Sequence, residues 1–364
     1  MKKKIVLAGG GTGGHVFPVL SVAQALIDQN QDLELSYIGQ IGGSEKKYVS
    51  EARLKSGRTQ IKIPFYGITA DKLRRYFSWR IFALPFAILT GTSQAYRHLK
   101  VIKPDIVFCK GGYVTVPVAF AARLLGIPVI LHETDASMGL ANRLVSPLAT
   151  RVAFSFPSPE FLRRDRRGSK FTYTGQPISQ KFFKAGYGRK HSHPNLLIFG
   201  GSQGAKKIND LIREILPDLL ERYHVTHVTG ARDYGRMKAA SNHRCYEPVG
   251  FSTDIDALFR QADLIISRAG GSIFEIAATG KPVVLIPIPN AANNHQAINA
   301  EIFAERGAAI VLDETKTSSQ DLLKVIVELM RNSKKRAELA GNIKRLAEPR
   351  AAENVARLIL KELK

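Results

Sequence analysis

The stretch KKIVLAGGGTGGHVFP, residues Lys3–Pro18, decides the fold. Ile5 to Ala8 is an apolar run of strand length, glycines follow, and Val19 to Ile27 repeats its apolar residues at helical spacing; the order is strand, tight loop, helix. Leu33 to Gly39 reads as a second strand. Further strand-sized runs stand at Asp105 to Cys109, Pro128 to His132 and Arg151 to Phe154, separated by segments able to form helices. That alternation predicts an α/β fold with a parallel sheet.

The pattern begins again at NLLIFGGSQGA, residues Asn195–Ala205, and continues through Val225 to Thr229, Leu264 to Ser267, Val283 to Pro287 and Ala309 to Leu312. A chain of 364 residues also exceeds what one hydrophobic core organises, so two doubly wound domains are expected. Their boundary is placed near Gly175 to Pro177, inside the basic stretch between Phe156 and His193, giving domains 1–174 and 175–345. Helical periodicity runs from Ser319 to Lys364 with a break at Glu348-Pro349, where proline ends a helix.

Fifty-three Lys plus Arg against 31 Asp plus Glu give a net charge of +22, which favours anionic partners: nucleic acid, lipid headgroups or phosphorylated substrates. The two cysteines, Cys109 and Cys245, are far apart and form no metal-type or redox-type pair, as in a reducing cytosol. The apolar stretch after the N-terminal lysines is too short for a signal peptide, and no apolar run has the length of a membrane span.

Gly9, Gly11 and Gly14 fit the spacing of a dinucleotide fingerprint, but the second strand ends Ser36-Tyr37-Ile38-Gly39-Gln40, without the acid that would hold a ribose. A glycine turn at a helix start still presents unpaired N–H groups and a positive dipole end to an anion. His15 falls in the first helical turn, where that dipole opposes protonation, so a neutral imidazole could take a proton from a sugar hydroxyl. Two more such turns, Gly111-Gly112-Tyr113 and Gly200-Gly201-Ser202-Gln203-Gly204, point to several phosphates or two phosphorylated ligands.

Later, Gly270-Gly271-Ser272 opens a helix on which Glu275 could accept from two ribose hydroxyls, and Asn293-Asn294-His295-Gln296 with Asn299 offers amides for a sugar. Asp254-Ile255-Asp256 has the spacing of a metal-binding DxD, yet Ser252-Thr253 before it and Ala257-Leu258-Phe259 after it read as a capped helix start. No metal site is predicted. Thr69 to Phe86 mixes Arg74, Arg75 and further cations with Leu73, Phe77, Trp79 and Phe82, a composition suited to anionic headgroups.

GGTGGHVFP (residues 10–18), GGYVTVP (111–117), His132-Glu133 through Met138-Gly139-Leu140-Ala141-Asn142, GGSQGA (200–205) and Ala262 to Glu275 occur in an order that resembles the MurG family along nearly the whole chain. The resemblance implies the GT-B fold, two Rossmann-like parallel-sheet domains facing across a cleft, with a last helix of about residues 346–364 returning to the first domain. It implies transfer of N-acetylglucosamine from UDP-N-acetylglucosamine to the muramyl 4-hydroxyl of lipid I, giving lipid II, with the nucleotide sugar as substrate and no cofactor.

The same resemblance assigns residues. Thr12, Gly13 and Gly14 would touch the donor sugar, with Asp135, Asn142 and Ser179 also on the donor side. Asp135 stands where an asparagine is common, and Ser179 where some members have an arginine. Ser202 would lie near the pyrophosphate, Ser252 at the uracil, Gly270, Gly271 and Ser272 near the phosphates, Glu275 on the ribose and Gln296 on the sugar. Gly111, Gly112 and Tyr113 would face the acceptor, with His15 or Glu133 as base.

Leu73, Arg74, Arg75, Phe77, Trp79 and Phe82 would rest on the cytoplasmic face of the membrane, making the protein peripheral, with other cell-wall enzymes as partners and no nucleic acid. Two alternatives stay open in the residues themselves: another GT-B lipid glycosyltransferase, such as one glucosylating diacylglycerol, and a non-catalytic basic nucleic-acid binder.

Overall fold

The structure is a computed structural model that describes residues 2–11, 13–30, 32–71, 84–156, 158, 161, 163, 170–184, 193–201, 204–289 and 294–363. Its contacts divide the chain into Met1–Ser179 with Arg350–Lys364, and Gln180–Pro349. The first unit runs β1 (Lys3–Ala8), α1 (Gly13–Gln29), β2 (Leu33–Gln40), α2 (Glu45–Glu51), β3 (Leu54–Ser56), β4 (Thr59–Ile61), β5 (Phe65–Ile68), α3 (Leu84–Ile102), β6 (Ile106–Cys109), α4 (Thr115–Leu124), β7 (Val129–Glu133), α5 (Leu140–Val145), β8 (Arg151–Phe154) and β9 (Phe171–Tyr173). Its seven-stranded sheet has the order β5-β2-β1-β6-β7-β8-β9, and each pairing in it is parallel.

The central strands are apolar throughout because helices cover both of their faces. Alternate residues serve opposite layers. Val6, Ala8, Val107 and Cys109 face the core shared with α3, α4 and α5, whereas Ile5, Leu7, Ile106 and Phe108 face the core shared with α1.

The second unit runs β10 (Asn195–Phe199), α6 (Lys206–Leu220), β11 (His224–Val228), α7 (Tyr234–Lys238), β12 (Tyr246–Val249), α8 (Ile255–Gln261), β13 (Leu264–Ser267), α9 (Ile273–Thr279), β14 (Val283–Leu285), α10 (His295–Glu305), β15 (Ile310–Val311), α11 (Ser319–Arg331) and α12 (Ser333–Lys344). Its six strands are ordered β12-β11-β10-β13-β14-β15. The chain then ends in α13 (Ala351–Glu362), whose Ala352, Val355, Ala356 and Ile359 complete the core layer of α1. Arg151 of β8 pairs with Glu362 at 2.9 Å and pins the end of that helix.

Several elements differ from the sequence expectation. The first unit closes at Ser179, beyond Gly175 to Pro177, because His132 Nε2 donates to the Gly175 carbonyl at 3.0 Å and Ser155 Oγ donates to Gln176 Oε1 at 2.8 Å. The C-terminal periodicity breaks at Asn332 as well as near Pro349, since the Asn332 side chain accepts from the Lys335 N–H and starts α12. The sequence pattern does not show strands β5, β9 and β12 or the β3–β4 hairpin; they are short, and β12 and the hairpin carry charged residues that mask a strand pattern.

Each of the two parallel sheets has one topological switch point. The chain leaves β1 towards β2 on one side and returns to place β6 on the other, so the turns after β1 and β6 flank a crevice at their carboxyl ends. The turns after β10 and β13 do the same in the second unit.

Candidate active site

In the first unit the two glycine turns interlock. The Lys110 N–H donates to the Ala8 carbonyl at 2.9 Å, joining the turn after β6 to the end of β1. Gly112 has φ +83, and a Cβ there would come within 2.6 Å of the Gly10 carbonyl and 3.3 Å of His15 Cδ2. Only glycine allows this approach. Tyr113 lies over Gly11, where a Cβ would meet its ring, and its hydroxyl donates to Gln40 Oε1 at 2.6 Å.

His15, in the first turn of α1, is half-buried with its Nδ1 enclosed and without a well-formed hydrogen bond. Burial lowers its pKa to about 4, the Lys110 ammonium adds to the effect, and Asp135 and the nearby Lys110 backbone oppose it without reversing it. His15 is therefore a neutral imidazole at physiological pH, as required of a proton acceptor.

Glu133, at the end of β7, is buried. Its Oε1 accepts from the Asp135 N–H at 3.0 Å, and its Oε2 accepts from the Gly139 N–H at 3.1 Å and from Asn142 Nδ2 at 2.8 Å. Burial and Asp135 push its pKa up while these bonds pull it down. With both oxygens occupied, Glu133 braces the loop before α5. Asn142 in turn stands against Gly111, 3.0 Å from where a Cβ would be. The turn residues Gly13 and Gly14 open α1, Gly13 buried and Gly14 exposed.

In the second unit Ser272 caps α9 by position and Glu275 lies in its first turn. Gln296 Nε2 reaches to 3.8 Å from a Cβ position on Gly270, while its Oε1 accepts from the Ile288 N–H at 3.1 Å. Burial raises Glu275 to about 7; Lys181 opposes this and Asp256 reinforces it. Gly271 lies in the same turn, and Ser252 Oγ accepts from the Asp254 N–H at 3.1 Å.

Asp254 occupies the N-cap of α8, but its side chain makes no capping bond, contrary to the capped start expected there. Asp256 is ion-paired with Lys181 and Arg260, each at 2.8 Å, so this carboxylate faces cations already present. Among the described residues no cluster of side chains has the make-up of a metal site.

Ser179 is the last residue of the first unit, as grouped by contacts. Thr12, Ser202 and Asn293 lie outside the described residues, as do Leu73, Arg74, Arg75, Phe77, Trp79 and Phe82. Two residues of the sites escaped the sequence reading: Lys110, whose place next to Gly111 was the available signal, and Lys181, which has no local signal because it reaches Asp256 through the fold.

Residues 5–154 match the glycosyltransferase family 28 N-terminal domain, and residues 195–355 match the family's C-terminal domain. The chain belongs to glycosyltransferase family 28. A family member from Clostridium perfringens, a UDP-N-acetylglucosamine–N-acetylmuramyl-(pentapeptide) pyrophosphoryl-undecaprenol N-acetylglucosamine transferase, is 38% identical over 92% of this chain and 92% of its own. One of the same description from Clostridium botulinum is 36% identical over 100% of both chains. The crystal structure of Acinetobacter baumannii MurG aligns over 99% of both chains with a TM-score of 0.73 and 31% identity. The family 28 assignment makes the chain a glycosyltransferase with two parallel-sheet α/β domains of GT-B class.

Proposed function

We propose that this glycosyltransferase moves N-acetylglucosamine from UDP-N-acetylglucosamine to the muramyl 4-hydroxyl of undecaprenyl-pyrophosphoryl-muramyl pentapeptide. The observation that carries the reading is His15: a neutral imidazole at a helix start, set against a second glycine turn, in a chain whose relatives are named for this transfer.

The reaction is a single displacement with inversion. The acceptor oxygen forms a bond to the donor's anomeric carbon, its proton passes to His15, and the bond to UDP breaks. The second unit supplies the donor side, with Glu275 on the ribose, Gln296 on the sugar, and the Gly270, Gly271 and Ser272 backbone on the phosphates. N–H groups and the helix start meet charge developing on the leaving diphosphate, and no metal or cofactor is required. Gly111, Gly112 and Tyr113 face the acceptor, with Gly13 and Gly14 towards the transferred sugar.

The protein works peripherally at the inner face of the membrane. The net charge of +22 suits anionic lipid, and Phe86 and Leu89, 72% and 66% exposed, continue along α3 from the basic aromatic segment. No helix among the described residues is long and apolar enough to cross a membrane.

Incubation with labelled UDP-N-acetylglucosamine and a lipid I analogue tests the assignment, with an EDTA arm and UDP-glucose as competitor. A labelled disaccharide lipid formed with or without EDTA is expected. Absence of that product, or preferred transfer from UDP-glucose, would reject it.

A further inference from the structure

Where a dinucleotide fold would carry an acid, at the end of β2, this chain has Gln40, which has no part in the reaction as described so far. A glutamine amide donates and accepts at once, and an ionised carboxylate only accepts. Gln40 uses both ends. Its Nε2 donates to the Ala70 carbonyl at 2.8 Å, and its Oε1 accepts from the Tyr113 hydroxyl at 2.6 Å. The Ala70 carbonyl fixes the direction of the amide, since a carbonyl can only accept and must face the nitrogen. The backbone of Gln40 is held as well: its N–H donates at 2.9 Å to Oε1 of Glu45, a buried carboxylate at the start of α2.

Tyr113 is the residue that gains from this anchor. It follows the Gly111-Gly112 turn after β6, and its ring crosses to the turn after β1, where a Cβ on Gly11 would come within 2.5 Å of Tyr113 Cε1. Beside the ring runs a crevice lined mostly by apolar side chains, Ile88, Val116 and Pro117 among them, with Ala70 and Asp71. Apolar contacts are not directional and leave the tilt of the ring open. A hydrogen bond at the phenol tip sets it. Ala70, the second anchor of the same amide, stands just before the basic aromatic segment, so one side chain ties the root of that segment to the acceptor turn.

We propose that Gln40 is a positioning residue for the acceptor: by holding the Tyr113 hydroxyl and the Ala70 carbonyl on one amide, it keeps Tyr113 and the Gly111-Gly112 turn set for the incoming lipid-linked sugar. This rests on the transfer reading and deepens its acceptor side. Gln40 acts through Tyr113. The nucleotide is held by the second unit, so its binding should not respond to a change at Gln40.

Steady-state kinetics of the full chain test this, with UDP-N-acetylglucosamine and a soluble lipid I analogue each varied against saturating levels of the other. The proteins compared are the wild type, Gln40→Leu, Tyr113→Phe and the double variant. Loss of the hydrogen bond should raise the acceptor KM about three- to tenfold in each single variant, with kcat and the donor KM held within about twofold. The double variant should be no worse than Gln40→Leu alone, because the hydroxyl has by then already lost its partner. Gln40→Met, closer in length to glutamine, serves if the leucine variant does not fold.

An unmoved acceptor KM in a folded Gln40 variant overturns the proposal. Additive effects of the two substitutions do so too, since the hydroxyl would then act without Gln40. Equal rises in both KM values would show general loosening of the unit, and failure of both Gln40 variants to fold would make the glutamine a structural brace; either result rejects a positioning role. A wild type that turns over no lipid I analogue sinks the functional reading and this inference with it, whereas an active wild type with an unmoved acceptor KM in the variants sinks this inference alone.

Discussion

Asn142 Nδ2 donates to Glu133 Oε2 at 2.8 Å, joining the first turn of α5 to the end of β7. With the Asp135 and Gly139 N–H groups the carboxylate meets only donors, and in this way the loop between strand and helix is tied to the sheet. Replacing Glu133 by glutamine keeps the shape but turns an NH2 towards one of those donors. An unsatisfied buried polar group costs about 1–3 kcal/mol. Glu133→Gln should therefore lower unfolding stability by about that amount in denaturant titrations; a variant as stable as the wild type would show that the bracket is not made.

His15→Ala should reduce kcat by about 10²–10⁴-fold, the usual contribution of a general base, with UDP affinity unchanged. Because the folded His15 pKa is near 4, the ring stays neutral across the physiological range, and the acid limb it imposes should lie well below pH 6. The stability sign follows from the same shift. Between pH 6.5 and about 4 the unfolded chain binds the proton and the folded chain does not, so stability falls as pH falls through that window. Equilibrium unfolding at stepped pH checks this, with His15→Ala expected to show the shallower loss.

Glu275 should make UDP binding pH-dependent. Its carboxyl is raised to about 7, and under the proposed role the ionised form is the one that accepts from ribose hydroxyls, so affinity should weaken about tenfold per pH unit below that value. Glu275→Gln should bind more weakly and with a flat profile. Calorimetric titration with UDP from pH 5.5 to about 8.5 measures both, and a flat wild-type profile would contradict the ribose role.

Glycines in different settings should respond in opposite directions. Gly112 has φ +83 and the Gly10 carbonyl close by, so Gly112→Ala should destabilise the chain by more than about 1 kcal/mol and reduce turnover. Gly235 lies in α7 with open space around it, and Gly235→Ala should stabilise by up to about 1 kcal/mol. Thermal melts of the two variants decide the matter; equal shifts would mean that the interlocked turns are not under steric constraint.

Much of the fold was legible along the chain. Strands β1, β6, β7, β10 and β13 are nearly continuous apolar runs because both of their faces are covered, and glycine follows most of them because the turns come close together. Strand β5, with Gly67 in its middle, and β9, Phe-Thr-Tyr, lie towards the sheet edges, where burial demands less of the side chains. They had no comparable signal. The break at Asn332 was hidden because α11 and α12 both show apolar residues at helical spacing, and only the bond to the Lys335 N–H marks the new start.

Of the site, the sequence by itself determined the glycine turns, the position of His15 in a first helical turn, and the two-domain repeat. These are local properties, set by residue type and spacing over a few positions. Only the tertiary structure decided that Lys110 and the His15 carbonyl both stand against Gly9, that Asn142 and two N–H groups occupy Glu133, and that Lys181 reaches Asp256. Those pairs join separate strands and helices. The protonation of each member depends on the water removed and the charges gathered around it when the sheets assemble.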